Sequence, residues 1–60
     1  GHRSGLVIQA LRYLKGSPDL AKHVDRLKRD LDASTKKDLS ALVPKLVVWM
    51  RPIVQQITQT

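Results

Sequence analysis

Apolar residues recur at helical spacing along this chain, in four blocks punctuated by glycine and proline. In residues 6–14 seven of nine positions are apolar, and Val7, Ala10, Leu11 and Leu14 fall on one face of the helix they predict. Leu6, Ile8 and Tyr13 lie off that stripe and need cover of their own, because a surface helix ordinarily carries one apolar stripe. Leu20, Val24, Leu27 and Leu31 follow at intervals of four, three and four, a narrow seam on a second helix running to Asp32. Leu39, Leu42 and Val43 mark the buried side of a short third helix over 36–43. Trp49, Ile53, Val54 and Ile57 mark that of a fourth beginning near Val48, with Gln55, Gln56 and Gln59 turned to water. The pattern predicts an all-α fold, a small bundle of three to four short helices, either oligomeric or part of a larger protein.

The boundaries are written in capping chemistry. Ser4 is suited to cap the first helix, and Gly16 to occupy the left-handed position past its last turn. Ser17-Pro18 opens the second helix: the serine oxygen can accept from a free amide, and proline at the first helical position gives up an N–H that had no partner. Thr35 and Asp38 have the spacing of a capping box, with Asp in place of the usual Glu, and so predict the start of the third helix. Pro44 predicts its end, since the residue before a proline is pushed out of helical geometry. Pro52 falls in the first turn of the fourth helix, where amides have no internal partner and the ring does little damage. No repeat or flexible linker divides the chain, which reads as one module over 4–60. Residues 1–3 are taken as an expression remnant or disordered start, and the opening Gly-His as the sign of a fragment.

Size makes cover a requirement. A domain of 60 residues buries only about 60% of the surface its unfolded chain exposes. There is no Cys, hence no disulfide, and two His supply no structural zinc site. Close helix packing or oligomerisation must make up the difference.

Eleven Lys and Arg against five Asp, with a formal charge of +6, favour polyanionic partners. Lys22, Arg26 and Arg29 follow helical spacing on one face of the second helix and are the candidate phosphate or DNA contacts, with Lys28, Lys36 and Lys37 nearby. Asp25 stands four before Arg29 and three before Lys28, and Asp19 three before Lys22, so internal ion pairs are the competing explanation. The run Leu46-Val47-Val48-Trp49-Met50 is too short to span a bilayer, and no secretion signal opens the chain; the expected location is cytoplasmic.

Catalytic chemistry is thin. Asp19 and His23 stand one turn apart and could share a proton or a metal, but no further ligand has suitable spacing. His2 reads as part of the remnant. Ser34, Ser40, His23 and the five Asp include the residue types of a triad without a nucleophile elbow or a phosphate-binding glycine loop around them. The reading is a non-enzyme without metal or cofactor. Trp49 has two readings, core anchor and interface hot spot, and Leu6, Ile8 and Tyr13 are the candidate protein interface.

The order of these landmarks resembles a known family. The run Gly5-Leu6-Val7-Ile8-Gln9-Ala10-Leu11-Arg12-Tyr13-Leu14, then Val24-Asp25-Arg26-Leu27-Lys28-Arg29-Asp30-Leu31, Lys37-Asp38-Leu39, Trp49-Met50 and Ile53-Val54-Gln55-Gln56-Ile57 is similar to the carboxy-terminal segment of bacterial antitoxin-type regulators related to the AbiEi abortive-infection antitoxins. The likeness covers residues 5–57. The chain departs from the pattern in having Val47-Val48 where a proline is expected before the tryptophan. The resemblance implies a parent protein with an amino-terminal winged-helix region that binds its own operator and a carboxy-terminal region that neutralises a nucleotidyltransferase-type toxin. This chain would be the second part, with the toxin, another copy or the rest of the parent protein as partner and only weak nucleic-acid binding; no binding residue carries over. The alternatives are a small basic DNA-binding domain and a structural oligomerisation module.

Overall fold

A computed structural model of the chain describes residues 2–59, with side chains from Arg3 onward. Among these residues there are four α-helices and a 3-10 turn, and no strand: α1 (His2–Tyr13), α2 (Leu20–Asp30), α3 (Ala33–Leu42), the turn Val43–Lys45, and α4 (Met50–Thr58). The all-α class is the one the pattern predicts. Of the stretch expected to be a remnant or disordered, Gly1 and the His2 side chain lie outside the described residues. Arg3 is in α1, its guanidinium 3.5 Å from the Asp32 carboxylate.

Because α1 starts before Ser4, that residue does not cap it. Ser4 is buried in the first turn, on the face that also buries Val7 and Leu11. Gly16 sits at φ 78, the left-handed conformation that a glycine reaches without a Cβ penalty, and the chain reverses there with the Ser17 amide donating to the Leu14 carbonyl at 2.8 Å. Ser17 marks the turn without capping the helix: its hydroxyl accepts from the Asp19 amide at 3.2 Å, but α2 begins at Leu20 with Asp19 in the cap position and no side-chain cap bond, so Pro18 precedes the helix instead of opening it. The first turn is tight, with Leu20 donating back to the Ser17 carbonyl, before regular α-helical bonding begins with His23 to Asp19.

The start of α3 corrects the sequence reading. Its cap is Asp32 rather than Thr35. The Asp32 carboxylate accepts from the Thr35 amide at 3.3 Å and from the Thr35 hydroxyl at 2.6 Å, so Thr35 is a buried residue of the first turn. One orphan amide is satisfied, and α2 and α3 need only Leu31 and Asp32 between them. At the other end of α3, Val43 precedes Pro44 and yet stays in right-handed helical geometry, φ −49 and ψ −48. The chain tightens into a 3-10 turn and becomes extended only at Leu46. Pro44 thus deflects the helix one turn later than the steric preference of pre-proline residues implies.

Helix α4 is the centre of the packing, set against both α2 and α3, while α1 packs on α3. Its Met50, Val54 and Ile57 are fully buried, and they follow intervals of four and three. With Val7, Leu11, Val24, Leu27, Leu39 and Leu46 they form the core, which Ile8, Leu20, Leu31, Val43, Trp49 and Ile53 flank. The Arg51 amide already takes the Val48 carbonyl at 3.3 Å, so Pro52 occupies a position where its missing N–H leaves nothing unbonded. Trp49, expected at the heart of the core, is only half-buried and Met50 holds that place instead.

Two outcomes follow from this packing. Met50→Ala should cost about 2–5 kcal/mol as a cavity-forming core change, comparable with the whole stability of so small a domain, whereas Trp49→Ala should leave a measurable cooperative transition. Thermal melts followed by circular dichroism rank the two; Trp49→Ala as the worse variant would displace Met50 from the centre. The second outcome concerns acid. The Thr35 hydroxyl, then the Thr35 amide and the Arg3 charge, hold the Asp32 carboxyl below its usual value. A depressed carboxyl pKa stabilises the fold above the unfolded value and loses that contribution as pH falls through the folded one. Asn caps about as well as Asp, so Asp32→Asn should keep the helix but lose this part of the acid dependence, visible as a shallower fall of the melting temperature below pH ~4.

Candidate interaction surfaces

The faces left over after core formation are the candidate site. On α1, Leu6 is 63% and Tyr13 89% exposed, and their separation of seven residues puts them on the same side of the helix. Ile8, grouped with them in the sequence, is half-buried and packs against the core. Gly5 adjoins Leu6, and a Cβ built on it would meet nothing within 4 Å. Val47 and Val48 add exposed apolar surface that the sequence reading did not single out. They follow Leu46, where the chain leaves the 3-10 turn extended with Leu46 itself buried. Next to them the Lys15 ammonium lies 5.0 Å from the centroid of the Trp49 ring, a cation–π contact that ties the end of α1 to the start of α4.

The basic residues divide into committed and uncommitted. Lys36 donates its ammonium to the Lys28 carbonyl at 2.7 Å, closing the last turn of α2 with a cation where the helix dipole favours one. Arg51 donates through Nε to the Leu46 carbonyl at 2.9 Å and through a terminal nitrogen to that of Pro44 at 3.4 Å. Lys22, Arg26 and Arg29 are exposed. The internal pairs that could have neutralised them do not form: among the described residues Asp25 is paired with neither Arg29 nor Lys28, and Asp19 is not paired with Lys22. Lys22 and Arg26 border a recess of about 290 Å³ whose other lining residues are Leu14, Asp19 and His23.

Asp19 and His23 therefore do share a recess, in the company of two cations. Among the described residues no group of three or more His, Cys, Asp or Glu is placed to hold a metal ion. Ser40 lines a different hollow, with Leu31, Lys37 and Thr58, and so does not meet His23. No helix among these residues is long and apolar enough to cross a membrane. No protein-family profile matches the chain, and neither does any curated protein or solved structure.

His23 has one further property. Its Nε2 is buried without a hydrogen-bond partner among the described residues, which costs more than an apolar atom would in the same place. His23→Leu should accordingly raise stability by about 1 kcal/mol, read as a higher denaturant midpoint at unchanged slope. A lower midpoint would mean that the imidazole has a partner essential to the fold.

Proposed function

We propose that this chain is a non-catalytic interaction module whose α1 is covered by a second protein surface. The observation that carries the reading is the exposure of Leu6 and Tyr13 on one side of a helix whose other side is already in the core. Gly5 supports it. Glycine inside a helix costs roughly 0.5–1 kcal/mol relative to alanine, and nothing among the described residues lies within 4 Å of where an alanine methyl would go; close approach of a partner backbone gives the missing Cβ a use. The resemblance to the carboxy-terminal segment of AbiEi-type antitoxins points to a nucleotidyltransferase-type toxin as the partner in the cell, and in isolation the same face closes on a second copy.

Light scattering coupled to gel filtration should find the chain as a dimer or larger, and Leu6→Asp with Tyr13→Asp should return it to a monomer with little loss of helix, since both side chains are outside the core. An unmodified chain that remains a soluble monomer at high micromolar concentration counts against the reading. Gly5→Ala should raise the melting temperature of that monomeric double variant while weakening association of the otherwise unmodified chain. A gain in both would remove the argument from Gly5.

A further inference from the structure

We infer that the outward face of α2 is a contact for a nucleic-acid backbone, with the recess between the end of α1 and the first half of α2 receiving a phosphodiester. The seam Val24 and Leu27 locks one side of α2 into the core, so the cations on the other side stand on a fixed support. At a rise of about 1.5 Å per residue, Lys22, Arg26 and Arg29 form a line about 10 Å long, a span over which one strand of a duplex, advancing about 3.4 Å along the axis per unit, presents several phosphates. None of the three is bound to a carboxylate or a carbonyl among the described residues, unlike Lys36 and Arg51. The recess is lined by two cations, Lys22 and Arg26, and one carboxylate, Asp19, beside the imidazole of His23. The net single positive charge matches a phosphodiester, which carries one negative charge, better than a terminal or free phosphate, which carries nearly two. Nothing in the arrangement reads base edges, so binding is indifferent to sequence. This surface is independent of the apolar face of α1.

Fluorescence anisotropy with a labelled duplex at rising salt tests it on the whole chain. Lys22→Gln, Arg26→Gln and Arg29→Gln together should flatten the slope of log affinity against log salt by about two to three units, at about 0.9 for each phosphate no longer neutralised. Arg12→Gln, Lys37→Gln and Lys45→Gln together remove the same charge from α1, α3 and the 3-10 turn and should change the slope by less than one unit. Equal effects of the two triples, or no binding to the duplex even at low salt, would overturn the assignment. Asp19→Asn should tighten duplex binding several-fold, and weaker binding would remove the recess from the nucleic-acid surface. Inorganic phosphate should compete only through ionic strength; competition beyond that of chloride at matched ionic strength would reassign the recess to free phosphate. Polyglutamate bound as tightly as the duplex, with the same loss in the α2 triple, would reassign the face to an acidic protein. Should the α2 triple lose its helical circular dichroism signal, the single Arg29→Gln variant, which leaves the recess untouched, should flatten the slope by about one unit, and no flattening would also overturn the proposal.

Discussion

The fold depends on burying one short seam, Met50, Val54 and Ile57, between α2 and α3. A chain of this length has so little interior that a single helix must serve as partner to two others, and α4 does so with three side chains entirely removed from water. Burial of each is worth roughly 1.5–3 kcal/mol, against a backbone entropy cost of about 1–2 kcal/mol for every ordered residue. Neither α2 nor α3 could remain as an isolated helix of ten or eleven residues. What positions the cations on α2 and the apolar residues on α1 is therefore the same narrow seam.

Polar groups work at the joints between helices. Asp32 with Thr35 lets α3 begin with only two residues between it and the end of α2, and Lys36 reaches back across that joint to the carbonyl of Lys28. Arg51 does the equivalent for the 3-10 turn and α4. These bonds join segments whose own propensities are weak, and they substitute for the disulfide or metal that a chain of this size commonly uses. They also separate the surface into cations that bond carbonyls of neighbouring elements and cations exposed to solvent, a distinction invisible in a net charge of +6.

The four helices are legible because their apolar residues recur at 3.6-residue spacing, and the Gly16 turn is legible because it depends on one residue's own stereochemistry; Ser17-Pro18 marks the turn but places the start of α2 two residues early. Spacing alone misplaces the α3 cap because Thr35-Lys36-Lys37-Asp38 and Asp32-Ala33-Ser34-Thr35 offer the same four-residue interval, and the seam of α2 carries the eye as far as Asp32. Size misled at Trp49: its ring suggests an anchor, but counting back from Ile57 and Val54 lands on Met50, and that phase was present in the sequence. The Leu6 and Tyr13 side of α1 was visible as an excess of apolar positions, while the cover found by Ile8 depends on tertiary packing. Lys36 and Arg51 could not be recognised as fasteners, since each bonds a carbonyl in a different element. For the same reason spacing alone suggested ion pairs around Asp25 that the structure does not contain.

Arg51 has a consequence for anyone redesigning the surface. Its guanidinium holds two carbonyls from consecutive bends with two different nitrogens, a task that a planar fork performs and a single ammonium does not. Exchange of arginine for lysine, the customary way to alter a protein's solubility without altering its charge, is harmless at an exposed position with no bonds to keep. At this position it would unfasten the bend that delivers Met50 to the core, so a chemically conservative edit on the outside would be felt as a packing defect on the inside.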